Sequence, residues 1–262
     1  MKNTNEEIIR WLSEIGRKYV ENILSIVNIE RLKLDKAYAN KMFFFYWAYE
    51  RQGAPAGYKI AAIKAFQTVQ DSDYTSEYKK YYKEKTNDNI NPFLDIKISS
   101  LDIPRIVKKI ENYRFEEAFK DLKLNGIGHK IRAFFIRDIA YLLNLETKEI
   151  EFEDYLFMNP IDIWIQLTFN YLNISKPDIS LYNRKKYDLS KENFNIAVAL
   201  TDICLRAKAS PLLANMGIWY YASHYVANNL RLKELLCKKS IQILENEMNL
   251  LAGFQDIKRV IN

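Results

Sequence analysis

Apolar residues recur every three or four positions along most of the chain. Between residues 5 and 34 they fall at Ile8, Trp11, Leu12, Ile15, Val20, Ile23, Leu24, Ile26 and Val27. That is the period of a helix burying one face, and one or two helices fit the stretch. Residues 35–51 are apolar nearly all round through Met42-Phe43-Phe44-Phe45-Tyr46-Trp47, which marks a buried helix. Arg51-Gln52-Gly53-Ala54-Pro55-Ala56-Gly57 interrupts the pattern with two glycines and a proline, residues that break helices. Helical spacing resumes over 58–69. Residues 70–99 are polar and irregular, with a Tyr/Lys-rich helix predicted over 75–85. Residues 100–122 predict one or two helices with caps at Ser100 and Asn112, and a helix over 115–123 leads into a tight turn at 124–128. A long helix over 129–144 follows, then a charged connection over 146–154. Asn159-Pro160 pairs a favoured N-cap with a favoured first helical residue and predicts the next helix. Ser190 caps a helix reaching about residue 208, Ser210-Pro211 repeats the cap-plus-proline signature, and a last helix spans 230–250. No internal repeat and no strand pair with a hairpin turn occurs. The expected fold class is all-α.

Composition agrees with that reading. Seven Gly and six Pro in 262 residues are too few for a sheet-and-turn protein of this size. The hydrophobic share of 48% and charged share of 27% are those of a soluble globular chain, and the length allows one large domain or two small ones. The formal net charge of +6 favours an anionic partner. The lysine clusters at 79–80, 83–85, 108–109, 184–186 and 238–239 weigh less, because the heavy use of Ile, Lys, Asn and Tyr reflects an AT-rich coding bias. Two cysteines, Cys204 and Cys237, are too few for a four-cysteine cluster or a disulfide framework. Both lie in apolar, helix-like stretches and read as buried free thiols. His129 and His224 stand apart, so no metal is expected. MKNTNEEIIRWL mixes charges with apolar residues, unlike a signal peptide. The apolar run 42–49 is far below the ~20 residues of a membrane span. A cytoplasmic, reducing compartment and no membrane partner are the expectation.

The most informative segment is Leu124-Asn125-Gly126-Ile127-Gly128-His129-Lys130, set between two predicted helices. Two of the seven glycines sit here, spaced i, i+2. Glycine admits positive φ and lets backbone approach a ligand closely. The helix that follows offers unsatisfied N–H groups and a positive dipole end, a combination that binds phosphate. Taken alone, the pattern also fits a plain αα-hairpin.

Leu-x-Gly-Ile-Gly-x-Lys between two helices resembles the helix-hairpin-helix motif of the HhH-GPD superfamily of DNA glycosylases. The resemblance implies that the hairpin (helices within about 115–143) locks the two helices together. It implies that backbone at Gly126, Gly128 and His129 grips a DNA phosphate, and that Lys130 is the nucleophile of a bifunctional enzyme. Asn159-Pro160-Ile161-Asp162 resembles the family's proline–aliphatic–aspartate segment, which makes Asp162 the catalytic carboxylate. The two lie 32 positions apart. That gap is longer than in the endonuclease III-like branch and is similar to the archaeal-type 8-oxoguanine glycosylases. Trp164 stands where the family often has a histidine. The implied architecture is two-lobed. A helical barrel would span 36–145, and a second lobe would combine 1–35 with 146–262, the lesion lying in the cleft between them. The implied partner is double-stranded DNA carrying a damaged base, bound by a monomer associated with the nucleoid of a prokaryotic or archaeal cell. No cofactor is implied beyond a monovalent cation on the hairpin carbonyls, as in some members.

The chemistry accounts for these residue types. A lysine in the first helical turn, near the positive dipole end and partly desolvated, is biased toward the neutral amine that can attack C1′ of a nucleoside. A carboxylate at a helix start stays ionised and can stabilise an oxocarbenium-like sugar. A flipped base needs an aromatic platform, for which Trp47 and Trp219 are the candidates, although core packing suits either. Gln52 is placed to fill the gap left by the base. The alternatives are a monofunctional glycosylase for alkylated purines, which has no need of Lys130, a non-catalytic helix-hairpin-helix DNA-binding protein, and a helical scaffold without a nucleic-acid role.

Overall fold

A computed structural model describes residues 2–49, 80–81, 101–124, 127–147, 150–180 and 182–250. Every regular element among them is helical, so the chain is all-α. It divides into two compact units, Met1–Ser25 with Glu151–Asn262, and Ile26–Ile150. The sequence boundaries of 35/36 and 145/146 thus move to 25/26 and 150/151. The reason is visible in the side chains of α2 (Ile29–Leu34). Lys33 donates to Glu111 Oε1 at 2.7 Å, and the Asn28 amide at its head donates to Tyr38 Oη at 3.1 Å.

The first unit begins with α1 (Asn5–Asn22). Thr4 and Glu7 form a reciprocal capping box there, at 3.2 and 2.7 Å. The backbone N–H of Thr4 is the main cause holding the Glu7 carboxyl below the usual range. α1 packs on α10 (Pro211–Tyr220) through two glycines. A Cβ on Gly217 would lie 1.7 Å from Leu12 O, and one on Gly16 would lie 2.2 Å from Leu213 O. Ser210 caps α10 by accepting from the Leu213 amide at 3.0 Å. Ser190 caps α9 (Lys191–Arg206) by accepting from Asn193 at 3.1 Å. Both caps stand where the sequence puts them. Between α1 and α9 come α7 (Phe152–Tyr155), a 3-10 turn (Leu156–Met158) and α8 (Ile163–Tyr171). α10 runs on as a wider π-helical stretch, Tyr221–Val226, closed by Ala227 at φ 48°. The expected helix over 230–250 is two helices, α11 (Asn229–Cys237) and α12 (residues 241–250), separated where Lys239 takes φ 47°. Cys204 is buried as expected, whereas Cys237, at the end of α11, is exposed.

In the second unit, Asp35 caps α3 (Lys36–Met42), which continues as a π-helical stretch, Phe43–Tyr49. α4 (Ile103–Glu111) is capped by Asp102 rather than Ser100, because Asp102 Oδ1 is the atom that reaches the Arg105 amide, at 3.3 Å. Asn112 closes α4 at its C-terminal end instead of opening the next helix. α5 (Phe115–Asp121) and α6 (His129–Leu142) complete the unit. Phe135 of α6 takes edge contacts from Phe43 and Trp47, with ring centroids at 5.1 and 4.9 Å, so the apolar 43–47 stretch is core. The expected helices at 58–69 and 75–85 lie outside the described residues, apart from the helical pair Lys80 and Tyr81. No helix among the described residues is long and apolar enough to cross a membrane, and none of their His, Cys, Asp and Glu side chains group as a metal site.

Candidate functional site

The turn between α5 and α6 is built from its apolar residues outward. Leu122 and Ile127 are buried, and the Ile127 amide donates to Leu124 O at 3.0 Å. Phe119 of α5 is held by two side chains of α6. The His129 ring lies 5.4 Å from it, and the buried Arg132 places its guanidinium 4.0 Å over the ring while donating to Phe119 O at 3.4 Å. Gly128 is the N-cap of α6 and supplies no side-chain cap. Its φ of −78° and ψ of 179° suit any residue, so the left-handed freedom of glycine is not used there. A Cβ at Gly128 would meet nothing within 4 Å. Gly126 lies outside the described residues.

Lys130 is the second residue of α6 and is half-buried. It makes no ion pair among the described residues, nor does Lys123, two residues past the end of α5. The three acids of α5 are engaged elsewhere. Glu116 pairs with Lys120 at 2.7 Å, Glu117 pairs with Arg114 and Lys109, and Asp121 pairs with Lys109 at 2.6 Å.

Asp162 belongs to the first unit. It is the N-cap of α8, its Oδ1 accepting from the Trp164 and Ile165 amides at 3.0 Å each, and it is 9% exposed. The sequence puts the cap at Asn159 and Asp162 about three residues into the helix. The structure moves the helix start three positions on, because the Asn159 side chain is turned inward. Its Nδ2 donates to Ala197 O at 3.1 Å and to Thr201 Oγ1 at 3.4 Å, and its Oδ1 accepts from Asn215 at 2.6 Å. Pro160 and Ile161 form a buried stretch ahead of the helix. α8 carries no charged residue, and it leaves Ile163 exposed and Trp164 half-exposed just past the carboxylate.

The aromatic candidates separate. Trp47 is fully buried, and its indole N–H donates to Asp138 Oδ2 at 3.0 Å. The core alternative is the one realised, which corrects its candidacy as a stacking platform. Asp138 also takes the Arg137 guanidinium, Nε at 2.9 Å and Nη2 at 2.7 Å, and both partners are 0% exposed. A buried ion pair needs such hydrogen bonds to offset its desolvation. Sequence reasoning missed it, although a lone Arg-Asp dipeptide inside Phe134-Phe135-Ile136…Ile139-Ala140 is a legible signal. Trp219 is half-exposed, with edge contacts to Tyr19 at 5.8 Å and His224 at 5.1 Å. Gln52 lies outside the described residues. Asn215 and Thr201 were also missed, and the signal was an isolated amide in the apolar run 211–218 of α10. No protein-family model, curated protein or solved structure matches the chain.

Proposed function

We propose that the chain is a bifunctional DNA glycosylase and abasic-site lyase of the two-lobed helix-hairpin-helix type, excising an oxidised purine, 8-oxoguanine in particular. The observation that carries this reading is Lys130, half-buried in the first turn of α6 just past the open Gly128 and without an acidic partner among the described residues. Lys109 and Lys120 of the same unit, by contrast, sit in ion pairs. Gly128 adds support. Neither its φ nor its packing requires glycine, which leaves close approach of a ligand as a reason for it.

The chemistry assigns one task to each group. The amides at the α6 N-terminus take a phosphate of the strand. The Lys130 amine attacks C1′, the bond from C1′ to the base breaks, and the base leaves with the bonding pair. Proton loss from nitrogen and opening of the sugar give an imine. Loss of the C2′ proton then expels the 3′ phosphate, and water hydrolyses the imine to return Lys130. The Asp162 carboxylate stabilises the positive charge that develops on the sugar as the base departs. The partner is duplex DNA with one damaged base.

A borohydride trap tests the reading. Protein mixed with a duplex containing one 8-oxoguanine and then reduced is expected to give a covalent protein–DNA band, lost in Lys130→Gln. No band with that duplex or with an abasic duplex overturns the lyase. Retention on DNA that is salt-dependent, lesion-blind and indifferent to Asp162→Asn would instead identify a non-catalytic binding protein.

A further inference from the structure

Asp162 ends a stretch, residues 159–162, that is buried yet belongs to no regular element. Such a stretch must satisfy its backbone polar groups through side chains. Asn215, 0% exposed on α10, does this with one amide group. Its Nδ2 donates to Asn159 Oδ1 at 2.6 Å and to Pro160 O at 3.2 Å. Asn159 is in turn tied to α9 through Ala197 O and Thr201 Oγ1, and the Thr201 hydroxyl donates to Ala197 O at 2.9 Å. The neighbours of Asn215 on its own helix, Leu212, Leu213, Ala214, Met216 and Ile218, are all buried and apolar. An apolar residue at position 215 would take this donor away from Asn159 Oδ1 and Pro160 O. What the amide adds is a single conformation for the chain that delivers Asp162, since a satisfied buried network is rigid and specific.

We infer that Asn215 is a positioning residue for the Asp162 carboxylate, acting through Asn159 and Pro160. It sets where the carboxylate stands relative to the first turn of α8. This rests on the reading of Asp162 as the group that stabilises charge on the sugar. Asn215 itself is sealed from solvent and touches no substrate.

The test is a double-mutant cycle with a second readout that needs no activity. Single-turnover excision in Asn215→Ala is expected to slow ~10²-fold, the scale of an ångström-sized misplacement. Affinity for a duplex with an uncleavable abasic analogue should stay within ~2-fold, and the double variant with Asp162→Asn should be no slower than Asp162→Asn alone. Amide exchange at Trp164 and Ile165, which donate to Asp162 Oδ1, should accelerate ~10-fold or more while the amides of α9 hold their protection. A wild-type excision rate in Asn215→Ala, losses that multiply in the double variant, or unchanged exchange at Trp164 and Ile165 overturns the inference. If the wild-type protein excises nothing, the glycosylase reading falls and the exchange arm alone decides the role of Asn215. Should Asn215→Ala not fold, Thr201→Val leaves both Asn215 bonds in place and removes the 3.4 Å contact to Asn159 with the hydroxyl's own bond to Ala197 O. It is then expected to slow excision ~3-fold, with the same non-additivity toward Asp162→Asn, and additivity overturns the inference.

Discussion

Asp162 joins two roles that substitution can separate. As N-cap it satisfies two amides of α8, and as a carboxylate it carries the charge the proposed chemistry needs. Serine is an equally favoured cap. Asp162→Ser is therefore expected to hold unfolding stability within about 0.5 kcal/mol while excision falls at least ~10²-fold. Asp162→Ala should lose the cap as well, at a cost of about 1 kcal/mol. Denaturant unfolding beside single-turnover kinetics checks both. Equal loss of stability in the two variants would contradict the cap. Gly128 makes the complementary case. Its extended backbone and the open space around its Cβ position lead us to expect that Gly128→Ser leaves stability unchanged or slightly higher, since serine caps better than glycine. The same substitution should weaken DNA binding by crowding the phosphate. A titration of labelled duplex at fixed salt reads the second effect.

At the scale of elements, the crossing of α1 over α10 is the tightest contact described. The Gly217 Cα faces the backbone carbonyl of Leu12 and the Gly16 Cα that of Leu213, and no Cβ fits at either place. Gly217→Ala must push two helices apart, because the obstructing atoms are backbone. It is expected to cost about 3 kcal/mol or more, seen as a large drop in Tm. A drop no greater than that of a surface helix substitution would mean that the helices slide freely. The crossing also seats the aromatic side chains of the unit, since Tyr19 of α1 meets Trp219 of α10 edge-on at 5.8 Å. The ends of elements show how far local chemistry is readable. Ser190 and Ser210-Pro211 are caps where their sequence signatures put them. Asn159-Pro160 carries the same signature and is no cap at all. The difference lies in partners distant along the chain, Ala197, Thr201 and Asn215, which draw the Asn159 side chain into the core.

At the scale of the molecule, acid stability is governed by carboxylates that hold partners. The Arg231 guanidinium of α11 grips Glu247 of α12 with two hydrogen bonds, at 2.8 and 2.5 Å. That grip is the main cause holding the Glu247 carboxyl below its ordinary value of 4.5. Lys186 lowers Glu153 in the same way. A carboxyl lowered by folding binds fewer protons in the native than in the unfolded state. Its contribution is therefore complete above about pH 4.5 and is lost as pH falls through the lower native value. Tm is expected to be level near neutrality and to fall below that pH, with a shallower fall in Glu247→Gln. Thermal unfolding from pH 7 to 3 tests this, and parallel profiles for the two proteins would count against it.

What the sequence determined by itself is most of the described helices, many of their ends, and the start of α6 at Gly128 and Lys130. These follow from residue spacing and capping chemistry, which act over a few positions of chain. Only the tertiary structure decided the rest. It seated Trp47 in the core by giving its indole N–H to Asp138, 91 positions away. It required glycine at 16 and 217, where two helix backbones meet, and no local turn announces that need. It moved the start of α8 from Asn159 to Asp162 through an amide 56 positions downstream. Each of these outcomes depends on the satisfaction of a buried polar group or the close approach of two backbones. Both are properties of residues brought together by folding: an isolated polar residue in an apolar run marks a buried group, but its partner is set by the tertiary structure.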